Sequence, residues 1–210
     1  MLDKRKNSLA SKFMALGIVV IFIMSFLGGF ACLMQPSKQT QTPAPGSQEA
    51  NFQEATAQIQ AHLEKNQDDV QAWIELGNVY FDWGVQAGDL NMYAAAVDAY
   101  GKALELDPKQ NDARTDMALA HISLRNTEKA IAELEKVLEN DPNHVNALLN
   151  LGYANKIAEN FSLAAEFWEK FLEIAPQDHP RIEIVKRELE VIKKEITEIK
   201  EDTTELENGR

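Results

Sequence analysis

The fold of this chain is indicated by three similar stretches, ALELDPKQ at residues 103–110, VLENDPNH at 137–144 and FLEIAPQD at 171–178. The proline in each stretch lies 34 residues from the proline in the next. The same interval separates two further pairs of residues, Ala130 from Ala164 and Leu134 from Trp168. A 34-residue period is typical of stacked helical hairpins, and a proline ends a helix because its ring cannot enter the helix interior. We therefore predict three consecutive hairpins.

Residues 70–178 resemble the tetratricopeptide repeat (TPR) family. The first repeat carries Trp73, Leu76, Gly77 and Tyr80, and their spacings of three and four place the large side chains on one buried helical face. The family pattern is further matched by Ala96, Tyr100, Ala103 and Pro108 in the first repeat, by Met117, Ala118, His121, Ala130, Leu134 and Pro142 in the second, and by Leu148, Leu151, Gly152, Ala164, Trp168 and Pro176 in the third. The resemblance implies an all-α, right-handed solenoid of helical hairpins.

The first repeat is longer than the other two. Between Trp73 and Ala96 there are seven more residues than between the equivalent positions of the later repeats, and the surplus falls near residues 84–90. Seven residues are about two helical turns, so we expect each helix of this hairpin to lengthen by about one turn. Asp89 is the expected N-cap of the second helix.

Helices are also expected on both sides of the repeats. Ala55 and Ile59 fall at second-helix positions, and Ile182, Val185 and Leu189 fall at the positions of a capping helix, which a solenoid needs to cover its last apolar face. The predicted order is a basic tail at 1–12, a transmembrane anchor at 13–34, a disordered linker at 35–50, an orphan second helix at 51–69, repeats at 70–110, 111–144 and 145–178, a capping helix at 179–200 and a disordered tail at 201–210.

Residues 13–34 form an uncharged run rich in Ile, Leu, Val, Phe and Met. As a helix rising about 1.5 Å per residue, this run would reach about 33 Å, enough to cross a hydrocarbon core of about 30 Å. Four basic residues precede it and only Lys38 follows closely, which predicts a single-pass signal anchor with the N-terminus inside and the repeats outside. A resemblance to membrane-anchored bacterial assembly factors implies that the membrane is a bacterial cytoplasmic membrane. A lipoprotein acylated at Cys32 and a cleaved signal peptide are the alternatives, because the small residues Gly29 and Ala31 precede that cysteine.

Charge and residue types argue against nucleic-acid binding and catalysis. The chain has a net charge of −12, and because residues 1–50 carry +3, residues 51–210 carry −15 and would repel phosphate backbones. The four histidines are far apart, the glycines form no phosphate-binding loop, and Cys32 is the only cysteine. We predict no enzymatic activity, no cofactor and no metal site, and we expect His121 to be a packed core residue.

In TPR proteins the first helices of the repeats line a concave groove that binds an extended peptide or a helix, and the resemblance assigns fourteen positions of this chain to that groove. They are Gln71, Ile74, Asn78, Phe81, Asp112, Thr115, Asp116, Leu119, Ile122, Asn146, Leu149, Asn150, Tyr153 and Lys156. Chaperone-binding members hold a C-terminal carboxylate with lysine and arginine, and of the corresponding positions here only Asn78 fits. The apolar and amide-rich groove predicts a partner that is neutral to cationic and partly apolar.

Our hypothesis is a membrane-tethered protein–protein interaction scaffold or assembly factor, similar in architecture to the TPR domains of cytochrome c-type biogenesis factors. The alternative is a structural homo-oligomer joined through the C-terminal helix, where a heptad seam runs through Ile182, Val185, Leu189, Ile192, Ile196 and Ile199. The cap already uses the first three of these, which leaves too short a seam for a stable coiled coil. We therefore expect a monomer, with a dimer as the alternative.

Overall fold

The computed structural model describes residues 47–208, with side chains described from 47 to 199. The predicted tail 1–12, the predicted anchor 13–34 and residues 35–46 of the predicted linker lie outside the described residues. No helix between residues 47 and 208 is long and apolar enough to cross a membrane. This part of the chain folds into eight helices, α1 (Gln48–Leu63), α2 (Val70–Ala87), α3 (Leu90–Leu106), α4 (Asn111–Ser123), α5 (Thr127–Asn140), α6 (Val145–Ile157), α7 (Phe161–Ile174) and α8 (Ile182–Asn208).

The helices pair into three hairpins, α2 with α3, α4 with α5, and α6 with α7. The first helices begin at Val70, Asn111 and Val145, which are the predicted repeat boundaries. The second helices all end two residues before a proline, at Leu106, Asn140 and Ile174. Since the residue before a proline is pushed out of helical conformation, proline accounts for the common end point of the hairpins.

Two of the hairpins are closed by a glycine of the first helix against an aromatic ring of the second. A Cβ at Gly77 would lie 2.5 Å from Cε1 of Tyr100, and a Cβ at Gly152 would lie 2.0 Å from Nε1 of Trp168. Both rings are buried. A side chain at either glycine would therefore push the two helices apart, which explains the small residue at these positions.

The first hairpin is the longest, as predicted. α2 has 18 residues against 13 in α4 and α6, and α3 has 17 against 14 in α5 and α7. Asp89 caps α3, because its carboxylate accepts a hydrogen bond from the backbone N–H of Asn91 at 2.9 Å. In the turn between the two helices Gly88 has a φ of 65°, a left-handed conformation that glycine adopts without strain.

α1 packs on the first hairpin at the place of an orphan second helix. Leu63 is buried together with Leu76 of α2. Toward the other end of α1, the ring of Phe52 stacks on Trp83 with a centroid separation of 5.9 Å. The helix begins three residues before the predicted boundary, since Ser47 accepts a hydrogen bond from the first turn at 3.2 Å and acts as N-cap.

α8 covers the end of the solenoid and is packed more deeply than predicted. Val185, Leu189 and Ile192 are buried in one core with Trp168 and Phe171 of α7. The prediction that the cap leaves Ile192 free is wrong, because only 1% of this residue is exposed. The apolar stripe of α8 is thus used within the chain for one turn more than the capping pattern suggested.

The same helix also extends beyond the predicted cap. The sequence predicts a disordered tail from residue 201, but α8 continues to Asn208, which corrects that boundary. Ile196 packs against the core, and Lys193 forms an ion pair with Glu169 of α7 at 2.5 Å. The last turns therefore continue a helix that is already held by tertiary packing. Each further residue adds one backbone hydrogen bond without the cost of nucleating a new helix.

The first helices of successive hairpins lie closer together than the second helices do. α4 approaches both α2 and α6 within backbone contact distance, whereas among the described helices α3 and α5, and α5 and α7, do not contact each other. A stack with one closely spaced row and one widely spaced row curves toward the close row. The inner face is therefore formed by α2, α4 and α6.

Candidate binding groove

All fourteen predicted groove residues lie on the three helices of the inner face. Four of them are exposed, namely Gln71, Asn78, Asp112 and Asn146. Seven are half-buried, namely Ile74, Phe81, Asp116, Leu119, Ile122, Tyr153 and Lys156. The remaining three, Thr115, Leu149 and Asn150, are buried.

The three buried residues contribute little surface to the groove. Thr115 is 2% exposed, and its hydroxyl donates to the backbone carbonyl of Asn111 at 2.9 Å. Leu149 is 7% exposed and belongs to the core shared by α6, α7 and α8. Their helical positions match those of partly exposed residues in the first repeat, so sequence position alone does not distinguish packing from lining.

Two of the partly exposed apolar side chains lie on α2. Ile74 and Phe81 are half-buried and pack against the core that contains Tyr100 and Met117. The ring of Phe81 also meets Tyr93 of α3 in an edge-to-face arrangement at 5.4 Å. These side chains are held in place by packing and still keep part of their surface exposed, which suits contact with a partner.

Three carboxylates, Asp82, Asp112 and Asp116, form an acidic surface on the inner face. Burial raises the pKa of Asp116 to about 6; the charge of Asp112 adds to this, His144 opposes it, and Asp82 adds a smaller contribution. The Nε2 of His144 lies 3.1 Å from Oδ1 of Asp112. Asp82 is not among the predicted groove residues, although its spacing of four from Asn78 places both on one face of α2.

Tyr100 links the core of the first hairpin to the acidic surface. Its hydroxyl donates to Oδ1 of Asn78 at 2.7 Å. Burial, followed by the charges of Asp116 and Asp82, raises the pKa of this phenol far above its usual range. The phenol therefore stays protonated and fixes the orientation of the Asn78 amide at the surface.

Lys156 is the one predicted groove residue with a positive charge, and it is neutralised within the chain. Its Nζ pairs with the carboxylate of Glu188 on α8. Lys193, on the same helix as Glu188, pairs with Glu169 of α7. The Lys156–Glu188 ion pair neutralises the basic charge in the third repeat's part of the groove.

The described histidines do not belong to a cluster that could hold a metal ion. Between residues 47 and 199, no three His, Cys, Asp or Glu side chains are placed to hold a metal ion. His121 is 8% exposed, and burial, helped by Lys129, lowers its pKa against the opposing charge of Glu133. It is a neutral, packed residue of the second hairpin, in line with its expected core role.

A stack of two-helix repeats with a 34-residue period, closed by small residues and lined on its inner face by the first helices, defines a tetratricopeptide repeat protein. The match can be made more specific. A family model described as the cytochrome c-type biogenesis protein H TPR domain covers residues 33–182. The chain belongs to this family.

Named relatives include proteins of biogenesis and assembly. The cytochrome c-type biogenesis protein CcmH of Escherichia coli (strain K12) is 28% identical over 134 residues, which are 62% of this chain and 36% of CcmH. The chain thus matches about a third of the length of that relative. The photosystem I assembly protein Ycf3 of Synechococcus sp. (strain CC9605) is 30% identical over 122 residues, which are 50% of this chain and 70% of Ycf3.

Two solved structures share the fold. The crystal structure of MamA aligns with a TM-score of 0.54 at 21% identity, over 61% of this chain and 66% of MamA. The first TPR domain of Spaghetti (RPAP3), bound to the HSP90 peptide SRMEEVD, aligns with a TM-score of 0.53 at 23% identity, over 61% of this chain and 93% of that domain. At these identities the similarity is one of architecture alone.

Proposed function

We propose that this protein is a membrane-tethered interaction scaffold or assembly factor that binds a peptide or helix of another protein along the inner face of its repeats. The observation that carries the proposal is the pair of anchored, partly exposed apolar side chains on α2, Ile74 and Phe81. Their remaining surface leaves water only when a partner covers it. The exposed amides of Gln71 and Asn78 lie on the same helix and can pair with a peptide backbone. The biogenesis and assembly roles for which CcmH and Ycf3 are named support the proposal.

A photo-crosslinking amino acid at Gln71 tests this groove in native membranes. The matched control carries the same group at Glu135, an exposed position on α5, outside the inner row. We expect a protein partner to be crosslinked from Gln71 and not from Glu135. Phe81→Glu should remove the crosslink, because an unpaired charge is costly to bury in an interface. Equal crosslinking from both positions would refute the proposal, and so would an unchanged crosslink in the Phe81→Glu variant.

The proposed tether is the uncharged segment 13–34, with the repeats outside the cytoplasmic membrane of a bacterium. Protease added to spheroplasts should then digest the repeat array, and full protection would contradict this topology. Incorporation of labelled palmitate at Cys32 would favour the lipoprotein alternative.

The alternative function, a homo-oligomer joined through α8, has less support. Val185, Leu189 and Ile192 are buried within one chain, so most of the heptad seam is already in use. The full-length protein in mild detergent should therefore sediment as a monomer. A dimer that dissociates on dilution would favour the alternative.

A further inference from the structure

The acidic surface of the inner face has no strong counter-charge. Among residues 47–199, no lysine or arginine forms an ion pair with Asp82, Asp112 or Asp116. Within the same residues, the ion-pair partner of this group is the His144 imidazole, which lies against Asp112, whose side chain is 88% exposed. Neighbouring like charges disfavour one another, so an external cation is favoured at this surface.

The lysine and arginine residues on the inner-face helices α4 and α6 are paired with other carboxylates. Arg114, on the same helix as Asp112 and Asp116, pairs with Glu133 of α5 at 2.6 Å. Lys156 pairs with Glu188 of α8. Residues 51–210 carry a net charge of −15, because the whole chain carries −12 and residues 1–50 carry +3. The potential over the inner face is therefore negative, which concentrates cationic ligands and speeds their association.

The acidic surface adjoins the apolar surface along α2. Asp82 directly follows Phe81, and Asn78, held by the Tyr100 hydroxyl, lies one turn earlier on the same helix. Ile74 lies one further turn back. Residues three and four apart are neighbours on a helix surface. A ligand lying along α2 therefore meets an apolar side chain, an oriented amide and a carboxylate within about two turns.

We propose that the occupant of this groove is a cationic amphipathic segment of a partner protein. Its lysine or arginine side chains lie against Asp82, Asp112 and Asp116, and its apolar side lies against Ile74 and Phe81. The inference rests on the proposed function and specifies the chemistry of its ligand. Three carboxylates repel an acidic segment, whereas a neutral segment would cover half-buried Asp116 without a partner for its charge. Arginine suits this position because its planar guanidinium donates two parallel hydrogen bonds to one carboxylate.

Three fluorescent peptides test the inference. They share their length and apolar residues, and their polar positions are filled with lysine, glutamine or glutamate. Each is titrated with the full-length protein in neutral detergent, at neutral pH and low salt, and followed by anisotropy. We expect the lysine peptide to bind roughly tenfold more tightly than the glutamine peptide, as three partly exposed ion pairs would give. The glutamate peptide should bind most weakly, and added salt should reduce the difference.

Variants of the protein locate the effect. Replacing Asp82, Asp112 and Asp116 by asparagine should abolish the preference for the lysine peptide over the glutamine peptide, because no ion pair is left to favour lysine. The matched control replaces three exposed carboxylates of α5 by glutamine, at Glu128, Glu135 and Glu139. This control changes the net charge by the same amount and should keep the preference. Far-UV circular dichroism verifies that both variants are folded.

Several results would overturn the inference. The first is equal binding of the lysine and glutamine peptides, and the second is the absence of binding by all three peptides. The third is an equal loss of the lysine preference in both triple variants, because this result would indicate unspecific attraction to an acidic protein. The crosslink from Gln71 reports on the proposed function separately, since it does not depend on the charge of the partner. If that crosslink persists while the lysine preference is absent, the scaffold proposal stands and the cationic ligand is wrong.

Discussion

Alanine in place of Gly152 tests how the hairpins close. The added Cβ would lie 2.0 Å from Nε1 and 2.1 Å from Cδ1 of Trp168, far inside the ordinary contact range of 3.4–4 Å. The indole has no free space to move into, because it is fully buried and its Nε1 donates to the backbone carbonyl of Leu149 at 3.1 Å. Relief of the clash would therefore separate α6 from α7 or break that hydrogen bond.

The expected change in the free energy of unfolding is the balance of three effects. Overpacking a core costs about 1–3 kcal/mol, and loss of the indole hydrogen bond adds about 1 kcal/mol. The better helix propensity of alanine offsets about 1 kcal/mol. Because Trp168 is enclosed on all sides, the net destabilisation should fall near the upper end of this range, at about 3 kcal/mol.

Gly101→Ala is the matched control for this substitution. Gly101 lies inside α3, and an added Cβ there meets no atom within 4 Å, so only the propensity gain of about 1 kcal/mol applies. Urea unfolding of the full-length protein in mild detergent, followed by far-UV circular dichroism, gives both changes. A Gly152→Ala variant as stable as the unaltered protein would refute the rigid closure. A destabilised Gly101→Ala variant would refute the gain in helix propensity that enters the expected free energy change of Gly152→Ala.

Three further predictions concern the groove and the turns. Leu149→Glu should unfold the third repeat, because it buries a charge in the core. Phe81→Glu should keep the far-UV circular dichroism and lower the urea midpoint much less, because Phe81 is only partly buried. Equal loss of structure in both variants would contradict the assignment of Phe81 to partly open surface. Arg125→Gly and Glu159→Gly should each stabilise the protein by up to about 1 kcal/mol in urea unfolding. Both residues have a φ of 60° in the turn of their hairpin, a left-handed conformation that glycine adopts without strain. A loss of stability would show that their side chains contribute more than the backbone strain costs. Asp116→Asn should stabilise the protein at neutral pH. Burial and the charge of Asp112 raise the pKa of Asp116 from 3.8 to about 6, so the folded state binds the proton more tightly than the unfolded state. The folded state therefore loses stability as the carboxyl ionises. This gain should shrink as the pH falls through about 6 toward 3.8, where the carboxyl becomes neutral in both states; a gain that does not depend on pH would contradict the cause.

The repeat boundaries and the long first hairpin were predictable because their causes are local. A proline ends a helix within one or two residues of its own position, and an aspartate such as Asp89 caps the helix that follows it directly. Gly77 and Gly152 report on contacts within one hairpin, between helices that are close in sequence. Helix ends, caps and close helix contacts with local causes recur at regular positions along the chain, so they can be recognised from the sequence.

The division between packing and lining residues was not predictable in the same way. Leu149 and Ile192 are buried in one core because α8 packs on the last hairpin, and the length of that contact depends on the tertiary fit of a helix that is not a repeat. The end of α8 at Asn208 has the same origin. Asp82 was missed because the family pattern assigns positions one by one, whereas its role depends on Asp112 and Asp116 from another helix.

The stack of Phe52 on Trp83 has a mechanical consequence. Any pull delivered through residue 47 loads the first turns of α1, and this aromatic pair is the first large contact that the load meets. Each helix of the described array contacts only its close neighbours along the chain, so force does not pass directly from α1 to distant repeats. Separation of α1 from α2 would therefore leave the contacts among the later helices in place. The helix that carries Asp112 and Asp116 would keep its neighbours under such a load, because α1 does not contact it.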